Sequence, residues 1–344
     1  MITAMPARHD PQSLSGRVAI RAHAKINLAL AVAPPITDPD PVREHTRGMH
    51  PIASWMAPIG LFDEVVVERA DTTTHRIAWQ DGSPDGTPVQ WPTESDLAAR
   101  AHRAMEQAAG VELPARLTVR KSIPAGGGLG GGSSDAAATL RAINHLFKIG
   151  YDSARLRSIA STLGSDIPFF IPEDPHPDTL VMGALVTGLG EAIEPAPVRG
   201  CVVLDHEVSN PEAAGHERPD SENQGFPLTL VFPPFGCPTG DVYRVFDESI
   251  GAGDPFRGGA VAELARAGIA DDDRLFNDLA GPACLVRPEL GVIRDAVASR
   301  LGRRVHVSGS GSTLFCLGVP VETVRPVLPA GCVAAGSVVL CSFS

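Results

Sequence analysis

The sequence predicts an α+β fold, in which strands and helices mix without the regular alternation of a doubly wound sheet. Three observations carry this prediction. An alternating apolar pattern begins at about residue 17 and indicates a long strand. A run of glycines at 124–134 separates a short strand from an amphipathic helix, and a second glycine run at 308–312 follows another strand. No repeat of fixed period is present.

The first half of the chain opens with a predicted strand at 17–33, in which apolar residues alternate with His23, Lys25 and Asn27. A helix at 94–109 is expected to start with a capping box of Thr93 and Asp96. The other expected elements of this half are a loop at 34–48, strands at 61–68 and 117–123, a turn-rich segment at 81–92, and helices at 135–147 and 153–163.

The second half mixes short strands with helical patterns. We expect strands at 179–187, 201–205, 228–232, 305–307 and 313–317, and helices at 241–248, 260–267, 275–286 and 290–300. The polar, proline-bearing stretch at 206–225 is expected to be a surface insertion.

Composition excludes several classes of protein. The chain has 344 residues and a formal net charge of −11, which disfavours non-specific binding to nucleic acid or anionic lipid. No stretch reaches the ~20 apolar residues of a membrane span. Residues 1–16 have no apolar core of signal-peptide type, so a flexible tail is expected there. The six cysteines form no CxxC or Cys/His cluster, which argues against a zinc site and favours the cytoplasm.

The first glycine run is a candidate anion site. Glycines let backbone N–H groups approach a ligand without obstruction by a Cβ atom, and the following helix points its N-terminus at the same place. A polyphosphate is the natural ligand, and a disordered glycine linker is the bland alternative. Neither a dinucleotide fold nor a Walker loop fits the flanking residues. The expected phosphate-binding residues are Pro124, Ala125, Gly126, Gly127, Gly128, Leu129, Gly130, Gly131, Gly132, Ser133 and Ser134.

Two charged residues are candidates for the chemistry. Lys25 sits in a mostly apolar strand, where a lysine is costly unless it meets an anion or a carboxylate. Its alternative is a solvent-facing lysine on an edge strand. Asp166 precedes an apolar run, where an acidic residue often only caps a helix or turn. The residues by themselves leave both alternatives open.

Six segments, taken in order, resemble the GHMP kinase superfamily. The glycine loop followed about 30 residues later by the sequence GSDIPFF is highly specific. The Lys25–Asn27 strand is similar to that of the branch whose alcohol substrate carries a cytidine diphosphate. The six segments are residues 24–28, 124–137, 163–170, 188–191, 277–279 and 307–315.

The resemblance implies phosphorylation of a small-molecule hydroxyl by ATP with Mg²⁺, in isoprenoid biosynthesis. It implies two domains, at 17–175 and 176–344, with the active site in the cleft between them and the 206–225 insertion in the second. Asp166 would orient the alcohol and accept its proton, and Lys25 would keep that carboxylate ionised and offset charge in the transition state. Asn27 would position the substrate. The metal ligands and the oligomeric state stay open.

The nucleobase contacts depart from the branch. Its usual Gly-Tyr-His segment, which holds the cytosine, is here Gly48-Met49-His50. His50 and Met49 are therefore the expected substrate contacts, although methionine lacks an aromatic face. Two other functions stay open: another alcohol kinase of the superfamily, of the homoserine or mevalonate type, and a non-catalytic nucleotide-binding protein on the same fold.

Overall fold

The computed structural model describes residues 16–38, 46–80, 89, 91–203, 206–208, 225–249 and 255–340. Several predictions fall on residues outside these ranges. They are the tail up to residue 15, the centre of the 34–48 loop, most of the turn-rich segment at 81–92, and the greater part of the 206–225 insertion.

Within the described ranges the strands and helices follow one another irregularly, which confirms the predicted α+β class. The strands are β1 (Arg17–Val32), β2 (Ile52–Arg69), β3 (Thr74–Trp79), β4 (Ala115–Lys121), β5 (Ala184–Gly188), β6 (Ala192–Pro195), β7 (Gly200–Val203), β8 (His206–Val208), β9 (Gly225–Phe232), β10 (Ile269–Asp271), β11 (Phe276–Asn277), β12 (His306–Val307), β13 (Leu314–Leu317) and β14 (Val333–Leu340). The helices are α1 (Leu97–Ala109), α2 (Gly131–Leu146), α3 (Ser153–Ser161), α4 (Thr239–Ser249), α5 (Gly258–Ala267), α6 (Ala280–Val286), α7 (Pro288–Leu301) and α8 (Val321–Val324).

One mixed sheet carries most of the strands, in the order β11-β1-β2-β14-β9-β13-β12. The antiparallel pair β1–β2 is its longest ladder. Strand β14 pairs with β9 along its length and reaches β2 at Val339, opposite Ile59. Strand β14 therefore joins a strand from the first half of the chain to one from the second half.

Strands β1 and β2 are buried on both faces because apolar elements cover each side. Helix α2 packs with Ile20, Ala22 and Val65 in one core cluster, and helix α5 contributes Val261 to a second cluster that holds Ile26. Burial of apolar side chains at about 25 cal/mol per Å² is the main stabilising contribution here. Polar groups on these strands must therefore find partners within the protein.

Two helix starts differ from the predictions. Helix α1 begins at Leu97, and Asp96 is its N-cap through a bond from the Ala98 N–H. The capping box with Thr93 is thus wrong, because residues 93–95 form a separate 3₁₀ turn. Helix α2 begins at Gly131 rather than at residue 135, since the glycines continue into the helix.

The helices predicted in the second half of the chain are partly confirmed. Helices at 241–248, 260–267 and 290–300 are confirmed by α4, α5 and α7. The helix predicted at 275–286 starts only at Ala280, because residues 276–277 pair with β1 as strand β11. Strands β3 and β14 had no prediction. In the part of the chain that the structure describes, no helix is long and apolar enough to cross a membrane.

Candidate active site

Strand β1 places the side chains of Lys25 and Asn27 next to each other. The strand register shifts on either side of this pair, between His23 and Lys25 and between Asn27 and Ala29, and such bulges re-aim side chains. Lys25 Nζ donates to Asn27 Oδ1 at 2.7 Å and to the Gly128 carbonyl at 3.0 Å. This lysine is buried and partnered, so the solvent-facing alternative is wrong.

Asp166 lies against this lysine. It precedes the 3₁₀ turn Ile167–Phe170, whose side chains are all buried. Burial of this turn fixes the backbone position from which the Asp166 carboxylate extends. Asp166 makes no capping hydrogen bond to that turn. Its Oδ2 lies 3.6 Å from Lys25 Nζ, and its side chain is 33% exposed against 4% for the lysine. Burial lowers the pKa of Lys25, and the Asp166 carboxylate opposes that shift.

The phosphate-loop residues surround the start of helix α2. Gly130 has a φ of 70° and is the N-cap, with no side chain capping the helix. The first N–H groups of a helix have no partner within it, so they are available to an anion. Ser133 lines the cavity beside Lys25, whereas Ser134 is buried. Both serines lie in the first turn of α2, and its N-cap is Gly130.

The loop residues have different environments. Ala125 and Gly126 are exposed, and Pro124 and Gly132 are half-buried. Leu129 is buried in the core, and its carbonyl accepts the Lys25 backbone N–H at 2.9 Å. The leucine therefore fixes the loop to β1 instead of facing a ligand.

The two glycine loops interlock, which the sequence had not indicated. A Cβ atom on Gly128 would lie 2.2 Å from the Ser308 carbonyl oxygen, and one on Gly127 would lie 2.6 Å from Thr313 Oγ1. Ser308 Oγ also donates to the Gly128 carbonyl at 3.1 Å. Close contacts within the protein therefore require glycine at these two positions of the first loop, independently of any phosphate.

Two neighbouring cavities open at these residues. One, of about 310 Å³, is lined by Lys25, Asn27, Gly130 and Asp166. The other, of about 470 Å³, also borders on Asp166. Tyr243 lines both cavities, so they form one elongated cleft with the lysine–aspartate pair near its centre.

The second cavity brings together the two residues expected to contact the nucleobase. Met49 and His50 both line it, and Met49 is 39% exposed. His50 Nε2 lies 2.7 Å from Asp247 Oδ1, and its ring centroid is 4.9 Å from that of Tyr243. Tyr243 thus provides an aromatic face in a pocket where the Met49 position lacks one.

Sequence reasoning missed Tyr243 and Asp247. Both lie on α4, where the pattern was interpreted only as a helix. Burial and the nearby Asp166 raise the pKa of Tyr243 to about 12, so its hydroxyl stays protonated at neutral pH. The chain contains two tyrosines, and the presence of one of them on this helix was an available indication.

A buried charge cluster beneath the phosphate loop was also missed. Lys121 Nζ donates to Asp63 Oδ2 at 2.7 Å and to Asp135 Oδ2 at 2.6 Å. Asp63 Oδ1 accepts the Ile123 backbone N–H at 2.8 Å. Burial alone would lower the pKa of Lys121, but the two carboxylates outweigh it and raise that pKa. The cluster connects β2, β4 and α2 directly below the glycines.

Comparison with known proteins agrees with this architecture. Residues 96–172 match the family described as GHMP kinases N terminal domain. The crystal structure of a homoserine kinase from Cytophaga hutchinsonii superposes with a TM-score of 0.62 over 97% of this chain and 98% of its own, at 16% identity, which shows the fold alone. The fold and the phosphate loop make this protein a GHMP kinase, that is, a small-molecule kinase.

Relatives with higher sequence identity show which family within this class the chain belongs to. A 4-diphosphocytidyl-2-C-methyl-D-erythritol kinase from Symbiobacterium thermophilum is 32% identical over 90% of this chain and 95% of its own. One from Salinispora tropica is 33% identical over 91% of this chain and 87% of its own. A crystal structure of such a kinase superposes with a TM-score of 0.60, at 29% identity, over 93% and 99% of the two chains. The chain belongs to the 4-diphosphocytidyl-2-C-methyl-D-erythritol kinase family.

Proposed function

We propose that this kinase transfers the γ-phosphoryl group of ATP to the 2-hydroxyl of 4-diphosphocytidyl-2-C-methyl-D-erythritol, a step of isoprenoid biosynthesis. The observation that carries the proposal is the elongated cleft, in which the Lys25–Asp166 pair lies beside a pocket lined by His50 and Tyr243. A substrate with a reacting alcohol at one end and a nucleobase at the other matches that arrangement.

Asp166 acts on the attacking alcohol. Its partly exposed carboxylate orients the hydroxyl and accepts its proton as the new O–P bond forms, while the bond from the γ-phosphorus to the bridging oxygen breaks and ADP leaves. Lys25 stabilises the charge on the transferring group from the buried side of the cleft. Asn27 holds the ammonium through its Oδ1 and is itself held by Ser54 Oγ at 2.8 Å, so the pair is preorganised.

The triphosphate of ATP lies at the N-terminus of α2. Unpaired N–H groups and the helix dipole favour an anion at this place. The Ser133 hydroxyl, which lines the same cavity, would hold Mg²⁺ together with phosphate oxygens and water. When bound, the ion neutralises charge on the phosphates.

The nucleobase occupies the second cavity. His50 donates or accepts one hydrogen bond at the edge of the cytosine, Tyr243 supplies the aromatic surface, and Met49 adds an apolar contact. Asp247 orients the imidazole through its 2.7 Å contact. The two domains, 17–175 and 176–344, are proposed to meet at this cleft, and the enzyme is proposed to act in the cytoplasm.

A substrate panel tests the proposal. ATP consumption is measured with the cytidylated alcohol, with the same sugar alcohol phosphate lacking the cytidylyl group, with homoserine and with mevalonate. We expect turnover with the cytidylated alcohol alone. Equal turnover without the cytidylyl group, or preference for homoserine or mevalonate, would favour another alcohol kinase of this fold, and no turnover with any of the four would favour a nucleotide-binding protein.

A further inference from the structure

Asn277 connects the edge of strand β1 to the second glycine loop. It lies in β11, opposite Leu30 of β1. Its side-chain Nδ2 donates to the Val307 carbonyl at 2.8 Å and to the Gly309 carbonyl at 2.7 Å, and its Oδ1 accepts the Leu279 N–H at 2.9 Å. One planar amide thus makes three backbone hydrogen bonds, which only asparagine or glutamine could supply in this pattern.

The loop segment that Asn277 holds lies directly against the lysine. A Cβ atom on Gly309 would lie 3.3 Å from Asn27 Oδ1, 3.5 Å from Lys25 Nζ and 3.2 Å from the Gly128 carbonyl oxygen. Gly309 has a φ of 55°, a conformation that favours glycine. The backbone at Gly309 is therefore a wall of the pocket that contains the ammonium group.

This wall also sets the position of the carbonyl that the lysine contacts. The Gly128 carbonyl accepts from Lys25 Nζ at 3.0 Å and from Ser308 Oγ at 3.1 Å. Ser308 lies between the two residues whose carbonyls Asn277 holds. A shift of this loop would move the Ser308 hydroxyl, the Gly128 carbonyl and hence the ammonium group of Lys25.

We infer that Asn277 is a positioning residue for phosphoryl transfer, which acts by fixing residues 307–309 against Lys25. The inference rests on the proposed function of Lys25. A misplacement of about 1 Å at a reacting group costs on the order of 10²-fold in rate. The hydrogen bonds of the Asn277 side chain go to Val307, Gly309 and Leu279 and not to the triphosphate site at the start of α2, so the effect falls on the chemical step more than on ATP binding.

The test replaces Asn277 by aspartate and, separately, by leucine. Aspartate keeps the acceptor for Leu279 but loses the two donors, and leucine keeps the approximate shape without adding a charge. Asn144, on helix α2, is the matched control. Its side-chain amide donates to the Tyr151 carbonyl at 2.8 Å and accepts from the Tyr151 N–H at 2.9 Å. The same two substitutions are made there, and kcat, KM for ATP and the melting temperature are measured for all four variants.

We expect kcat to fall by about 10- to 100-fold in both Asn277 variants, with KM for ATP changed less than about threefold. The Asn144 variants should lose comparable thermal stability and keep kcat. Unchanged kcat in folded Asn277 variants, or a loss of kcat in the Asn144 variants at equal loss of stability, would overturn the inference. The ratio of variant kcat to wild-type kcat is measured with whichever alcohol the wild-type enzyme phosphorylates. An error in the proposed substrate is then seen with the wild-type enzyme, whereas an error in the proposed role of Asn277 is seen in the ratio.

Should either Asn277 variant fail to fold, Asn277→Ser, which keeps one donor, is measured in its place. Its kcat is expected to lie below that of the wild type, with KM for ATP changed less than kcat. A wild-type kcat for the serine variant would count against the inference.

Discussion

Lys25 Nζ lies 3.6 Å from Asp166 Oδ2, with the lysine side chain 4% exposed and the aspartate side chain 33% exposed. The aspartate can therefore meet a substrate in the cleft while the lysine acts from the protein interior. This difference in exposure supports separate roles for the two residues, proton acceptor and charge stabiliser, and the predictions below test them together with the surrounding site.

Asp166→Asn should remove most phosphoryl transfer and leave ATP binding intact. An amide cannot accept the proton of the alcohol, and loss of a general base costs ~10²–10⁴-fold in rate. Steady-state turnover and calorimetry with ATP measure the two effects. Asp178→Asn, at an 81% exposed side chain, is the control and should keep wild-type turnover. Near wild-type turnover in the Asp166 variant would remove the proposed role.

The alkaline limb of the pH profile should report Lys25. Burial lowers the pKa of this residue, so its ammonium form is lost at a lower pH than the ordinary value of about 10.4. Activity that needs the ammonium therefore falls as pH rises through that lowered pKa, and kcat/KM reports the free enzyme. Lys25→Arg keeps its charge over this range and should lose the limb. An identical limb in that variant would assign it to another group.

Gly126→Ala should weaken ATP binding, whereas Gly110→Ala should not. Both glycines have a φ of 69°, and a Cβ atom on either would meet nothing within 4 Å. Each substitution should therefore cost a similar ~1–2 kcal/mol of stability through backbone strain. Only the Cβ at Gly126 projects from the phosphate loop, where loss of a hydrogen bond to phosphate costs about 1–3 kcal/mol. Urea unfolding and calorimetry separate the two effects, and equal ATP affinity in both variants argues against phosphate binding there.

His50→Ala should raise KM for the cytidylated alcohol and leave KM for ATP nearly unchanged. The expected cost is roughly 1–3 kcal/mol, that of a lost hydrogen bond at a buried polar partner. Titration of both substrates measures it. His176, which lies 3.6 Å from Asp178, is the control position, where alanine should change neither constant. Equal constants for the His50 variant and the wild type would place the nucleobase elsewhere.

Lys121→Met should strongly destabilise the protein. It leaves the buried carboxylates of Asp63 and Asp135 without their counter-charge, and breaking a buried ion pair from one side costs about 3–5 kcal/mol. The exposed Lys148 is the control, where methionine should change stability by less than about 0.5 kcal/mol. Urea unfolding measures both. Similar free energies of unfolding for the two variants would show that the cluster is not a stabilising element.

Local patterns were enough for much of the fold. The strand at 17–33, the helix that follows the glycines and three of the later helices depend on periodicity and stop residues within one segment, and the structure confirms them. Strand β14 escaped prediction because it gains its stability from β9 and β2. The Thr93 capping box failed because Asp96, three residues later, competes successfully for the same helix start.

The sequence by itself determined which residue types were available for the chemistry: a lysine and an asparagine two positions apart on one strand, an aspartate before an apolar run, and a glycine loop before a helix. Only the tertiary structure decided that Lys25 meets Asp166, that Tyr243 joins His50 in one pocket, and that the second glycine loop closes on Gly128. The physical reason is that periodicity and capping act over a few residues, whereas these contacts join segments that are more than a hundred residues apart in the sequence and meet only in the fold.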